Sequence, residues 1–148
     1  KQADLIAMWH LNMEDFVLEE YNPDADLTFL FRLEPWLYSG RPWTAALKGK
    51  KVLVIHPFED TIQAQYKKRE MLFPGTEILP EFELKTLKAV QTLCGERDER
   101  FSTWFEALDY MYQEALKIDF DVAIIGCGAY GMPLAAMLRR SWGGIFPR

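Results

Sequence analysis

Two short runs of branched apolar residues stand out along the chain: Lys51-Val52-Leu53-Val54-Ile55-His56 and Phe120-Asp121-Val122-Ala123-Ile124-Ile125. The first follows Lys48-Gly49-Lys50 and stops at Pro57; the second stops at Gly126. Apolar side chains at successive positions, rather than alternate ones, predict strands covered on both faces, as in a parallel sheet. Leu5 to Met8 reads as a third such strand, and Glu83 to Ala89 as a weaker fourth.

Between the strands the apolar spacing changes to the helical period. Asp60 or Thr61 can cap a helix reaching about Leu72, with Ile62, Tyr66 and Leu72 or Phe73 on one face and a solvated Lys67-Lys68-Arg69 on the other. Thr103-Trp104-Phe105-Glu106 has capping-box spacing, and Trp104, Leu108, Met111, Ala115 and Ile118 continue it as a helical stripe. Met13 to Glu20 reads as a shorter helix. Leu134 to Arg140 reads as another, with Pro133 near its first turn and two arginines where the helix dipole favours cations. Asn22-Pro23-Asp24, Ser39-Gly40-Arg41-Pro42, Pro74-Gly75-Thr76 and Cys94-Gly95 read as turns. Strands alternating with helices predict an α/β fold.

Composition narrows the classes without naming one. The 148 residues suit one domain, 49% of them apolar and 26% charged, which argues against disorder, collagen and coiled coil. Cys94 and Cys127 are too few for a disulfide framework, and a reducing cytoplasm is the expected compartment. The net charge of −5 is spread over the chain, so no basic region offers itself to nucleic acid or anionic lipid. The longest uncharged stretch, Val122 to Leu138, is interrupted by three glycines and Pro133, and predicts no transmembrane segment.

Ligands of open parallel sheets bind at the carboxyl ends of the strands, and two such ends carry chemistry. The first is Gly126-Cys127-Gly128-Ala129-Tyr130-Gly131, a G-x-G-x-x-G pattern between a strand and a helix. Glycines there permit a tight turn and close backbone approach, and the helix start offers unpaired N–H groups to a phosphate. The same pattern also serves as a tight turn without a ligand. A dinucleotide (NAD or FAD) or S-adenosylmethionine reading expects a following strand and an acid about 20 residues on; only 17 residues follow Gly131, none of them acidic. The second end is His56-Pro57-Phe58, followed by Glu59-Asp60. His56 suits phosphate contact, general-base chemistry or metal binding, and equally a structural hydrogen bond. With His10 the only other histidine, a His-rich metal site is excluded.

Three other features are blander. The aromatics of 34–43 suit sugar stacking or an interface, or tucking over a sheet edge. Glu81 and Glu83 would share one side of a strand. Cys127 lies near a helix start, which can lower a thiol pKa, but has no base beside it and reads as a small packing residue.

Taken together, segments 50–58 with Thr61-Ile62, 79–85, and 121–136 resemble the GT-D-fold glycosyltransferases and their relatives, bacterial proteins found with surface-polysaccharide genes. The resemblance covers residues 3 to about 138. It implies a Rossmann-like three-layer sandwich with a mostly parallel sheet, binding a nucleotide-sugar for transfer to a glycan or lipid-linked acceptor. It implies Mg²⁺ or Mn²⁺ between the diphosphate and an acidic motif, in an Arg-x-Gly-Asp-Gly-Glu-like context near the N-terminus, which this sequence does not contain. Relatives also continue past the last helix into another strand. The expectation is therefore a single domain over 1–148 that is incomplete at both termini. In it Gly126, Cys127, Gly128, Ala129, Tyr130 and Gly131 shape the phosphate loop, with His56, Pro57 and Phe58 facing the same crevice. Tyr130 would stack on the ligand or hydrogen-bond to it. The alternative function is a non-catalytic interaction module, with a homo-oligomer as one form of association.

Overall fold

The computed structural model describes residues 3–37, 39–92, 95 and 98–141. The chain divides into two compact units, one of residues up to Ala46 together with Gly75–Pro80, the other of Leu47–Pro74 together with residues from Glu81 onward. The architecture is α/β, and every described strand pair is parallel.

In the first unit, β1 (Leu5–Met8) and β2 (Asp26–Phe29) pair in parallel across α1 (Glu14–Tyr21), a small β-α-β unit. Leu5–Met8 is thus a strand, as its sequence predicts, but it belongs to a separate two-stranded sheet and has no fully buried residue. The β2 strand was not expected, because its four residues carry no run of buried apolar side chains. The chain enters α1 through Met13 at φ +70°. The Glu14 carboxylate accepts hydrogen bonds from the Trp9 and Leu11 N–H groups, both at 3.1 Å; these donors stabilise its charged form and lower its pKa. The aromatics of 34–43 are not tucked under an edge: Trp36 and Trp43 are both exposed, although the Trp43 indole N–H reaches the Leu33 carbonyl at 2.9 Å. Tyr38 lies outside the described residues.

The second unit is built on β3 (Lys51–His56), β4 (Glu83–Lys88) and β5 (Val122–Ile125), in spatial order β4-β3-β5. As the uninterrupted apolar run predicts, β3 is central, and Val52, Leu53 and Ile55 are completely buried. Alternation of side chains sorts the two faces. Leu53, Ile55 and Leu87 join one core with α4 (Trp104–Leu116) and α5 (Gly131–Ser141), through Leu108, Met111, Leu134 and Leu138. Thr86 faces the other way, where its hydroxyl meets the Gln63 amide of α2 (Glu59–Tyr66) at 2.6 Å. Helices on both faces of a parallel sheet make this unit a three-layer arrangement, compatible with part of a Rossmann-like fold. None of the β5 residues is fully buried, so the expected cover on both faces is incomplete there.

Two helices differ from expectation. The helix expected to run to Leu72 breaks at Lys67–Lys68 into α2 and α3 (Arg69–Leu72). Tertiary bonds explain the break. The Tyr66 hydroxyl accepts from the Phe82 N–H at 2.7 Å and donates to the Phe82 carbonyl at 2.8 Å. The Arg69 guanidinium then lies over the Tyr66 ring, 5.5 Å from its centre, and 3.6 Å from Glu81. Arg69 is therefore packed, with 21% of its side chain exposed, and is not part of a solvated basic face. Glu81 precedes β4 while Glu83 begins it and pairs with Lys85 at 3.3 Å, so the two carboxylates do not form a shared site.

The α4 start forms the Thr103 half of its capping box, while the Glu106 carboxylate reaches one residue past the cap. Thr103 Oγ1 accepts from the Glu106 N–H at 3.2 Å, and the Glu106 carboxylate accepts from the Ser102 N–H at 2.7 Å. No helix among the described residues is long and apolar enough to cross a membrane.

Candidate functional site

The carboxyl ends of β3 and β5 are neighbours because the strands are parallel and in register, Ile55 beside Ile125. The ladder continues one step further, with the Gly126 N–H donating to the Ile55 carbonyl at 2.9 Å. His56 and Gly126 thereby come together, although 70 positions separate them in the sequence. Segments 56–58 and 126–130 line a single cleft of about 510 Å³. Gly131, the last glycine of the pattern, does not line it; it opens instead on a neighbouring hollow with Met132 and Ala135.

The glycines have distinct reasons to be there. At Gly126 a Cβ would lie 2.8 Å from Cδ2 of His56, so the imidazole packs directly on the backbone. Gly128 takes φ +58°, in the left-handed region that disfavours side chains. Gly131 has φ −58°, and a Cβ there would meet nothing closer than 3.9 Å. Neither close approach nor backbone conformation therefore requires glycine at 131.

His56 is held by its own turn. The Phe58 N–H donates to His56 Nδ1 at 3.0 Å, so Nδ1 acts as acceptor and Nε2 carries the proton of the neutral ring. The Phe58 ring tilts against the imidazole, with 5.2 Å between centres. His56 thus lines the cleft with the tautomer of its neutral ring set by the backbone.

The N–H groups of Cys127, Gly128 and Ala129 have no hydrogen-bond acceptor among the described residues, whereas that of Tyr130 turns back to the Cys127 carbonyl at 3.4 Å. Successive free N–H groups in a glycine turn at a helix start form a site for an anion. Cys127 itself is buried, and burial pushes its thiol pKa up, opposite to the lowering that a helix start can cause. It packs in the core, as its sequence setting predicts.

Tyr130 borders the cleft, but its side chain is almost wholly covered. It is 7% exposed and belongs to the core, with its ring flat against Trp104, centres 4.9 Å apart and planes 7° apart. Trp104 is 36% exposed and lines the cleft. Sequence reasoning placed Trp104 in a core stripe, yet a topological signal was present: a helix that follows a parallel strand starts on the carboxyl side of the sheet. By the same rule Val90, Gln91 and Thr92, which follow β4, also line the cleft and were missed.

No lysine, arginine or carboxylate lines this cleft among the described residues. Charged groups gather instead at the other end of the sheet, where Lys51 forms an ion pair with Asp119, and the Asp121 carboxylate accepts from the Lys51 N–H at 2.8 Å. Among the described residues no group of three His, Cys, Asp or Glu is placed to hold a metal. The polar side chains that the described residues bring to the cleft include the imidazole of His56, the buried thiol of Cys127, the Gln91 amide and the Thr92 hydroxyl, with no carboxylate for the Mg²⁺ or Mn²⁺ implied by the resemblance. No protein-family model, curated protein or solved structure matches this chain.

Proposed function

We propose that the β3–β4–β5 unit binds a nucleotide-sugar in this cleft, as the nucleotide-binding part of a glycosyltransferase-like protein of the kind its motifs resemble. One observation carries the reading: His56 and the 126–130 turn, distant in sequence, line the same cleft at the carboxyl ends of parallel strands. The free N–H groups of 127–129 would receive the diphosphate, and the Nε2–H of His56 would donate to a phosphate or sugar oxygen. The transferred sugar would go to a glycan or lipid-linked acceptor on the cytoplasmic side. No catalytic step is assigned to a metal, since the described residues provide no carboxylate at the cleft.

Calorimetric titration with UDP, UDP-glucose, GDP-mannose and inorganic diphosphate tests this reading. Saturable binding that is reduced in Gly128→Val supports it. Absence of binding across the donor panel, by protein shown to be folded, removes it. Tighter binding with Mn²⁺ would extend the resemblance to the metal.

A second reading, an interaction module, draws on the apolar side chains exposed in the first unit, Trp36, Leu37 and Trp43 among them. Large exposed aromatics of this kind are typical of association surfaces. Light scattering after size exclusion distinguishes this reading by concentration-dependent self-association that Trp36→Ser weakens.

A further inference from the structure

We infer that Trp104 is the stacking platform for the nucleobase, so that the cleft recognises the nucleoside end of its ligand chiefly through an aromatic face. This inference rests on the nucleotide reading proposed above. Trp104 is the first residue of α4, and its backbone is held there by the Thr103 cap. The buried Tyr130 ring, which also borders the cleft, lies parallel to the indole at 4.9 Å and supports one of its faces, while the Phe105 ring meets it edge-on at 5.2 Å. A tryptophan committed wholly to the core would be covered, whereas 36% of this one remains exposed, and it lines the same cleft as His56 and the 126–130 turn.

The charge inventory sharpens the assignment. No cationic side chain among the described residues lines the cleft, so phosphate binding by the described residues there relies on backbone N–H groups and His56. A flat base resting on an indole adds affinity that needs no charge, and its size is substantial for a single side chain. The resulting arrangement has direction. Phosphates would lie at the 126–130 glycine turn, and the base at the start of α4.

The test compares wild type with Trp104→Leu and Trp104→Phe, each checked for an unchanged melting transition, using UDP, UMP, ADP, GDP and inorganic diphosphate as probes. Removal of the ring face should weaken binding of the nucleotides at least about 5-fold, with Trp104→Phe retaining most of it. Inorganic diphosphate, which has no ring, should bind all three proteins equally. Wild-type protein alone gives an independent readout: proton resonances of the bound base should move upfield in the ring current of the indole. Nucleotide binding of undiminished strength in Trp104→Leu, or base protons without an upfield shift, overturns the inference while leaving the nucleotide reading intact. Diphosphate binding with no added affinity from any nucleoside overturns it too and reduces the site to an anion turn. Absence of all binding removes both.

Discussion

A Cβ at residue 126 would sit 2.8 Å from Cδ2 of His56, so the imidazole and the glycine turn can be neighbours only while position 126 has no side chain. That approach joins two strand ends into one cleft. It also makes Gly126→Ala the most informative substitution in the unit. Either the imidazole or the turn must move, and overpacking of this kind costs about 1–3 kcal/mol. The double variant Gly126→Ala/His56→Ala should recover part of that loss, giving a coupling above about 0.5 kcal/mol in urea denaturation. Strictly additive losses would show that the two residues do not compete for space.

The other two glycines should respond with opposite signs. Gly128→Ala places a side chain at φ +58° and should destabilise by about 1 kcal/mol. Gly131→Ala makes only ordinary van der Waals contact, at 3.9 Å or more, at a helical φ and should stabilise by about 0.4–1 kcal/mol, by reducing the freedom of the unfolded chain. Denaturation midpoints of the two variants, measured side by side, provide the check. Equal effects would mean that the turn is not held in this conformation.

Met111 is completely buried, and its sulfur accepts the Val90 N–H at 3.3 Å. Met111→Leu nearly conserves volume yet leaves that buried N–H without its acceptor, so a loss of about 1–2 kcal/mol is expected. Met111→Ala adds a cavity, and its loss should be about 2–5 kcal/mol. A Met111→Leu variant as stable as wild type would show that the sulfur acts only as bulk.

Burial raises the Cys127 thiol pKa, so the folded protein holds this proton more tightly than the unfolded chain. Between the unfolded and folded pKa values the unfolded state binds fewer protons, and stability therefore falls as pH rises through that window. Cys127→Ala should flatten the decline in stability above about pH 8.5. In a Cys94→Ser background, modification of Cys127 by a disulfide reagent at pH 8 should be slow in native protein and fast in denaturant. Rapid modification of native protein would contradict its burial.

Much of the second unit can be read directly from the order of its residues. The uninterrupted apolar run of 52–55 requires cover on both sides, and the structure makes β3 the central strand. Thr103 and Glu106 specify the start of α4 through local bonds, and the glycine pattern marks a strand-to-helix turn. These features depend on near neighbours, so local pattern suffices to reveal them. The β2 strand and the break at Lys67–Lys68 depend on partners distant in sequence: β1 for the first, and for the second Phe82 and Glu81, which engage Tyr66 and Arg69. No spacing rule announces such partners.

For the candidate site, sequence alone determined that chemistry should gather at two strand ends, through a histidine after one strand and a glycine turn after another. Only the tertiary structure decided that both ends line one cleft, that the Tyr130 ring is packed in the core, and that Trp104 lines the cleft while partly exposed. The reason is physical. Strand and turn propensities act over a few bonds, whereas which ring is covered and which is open depends on how helices from different parts of the chain share the surface of one sheet.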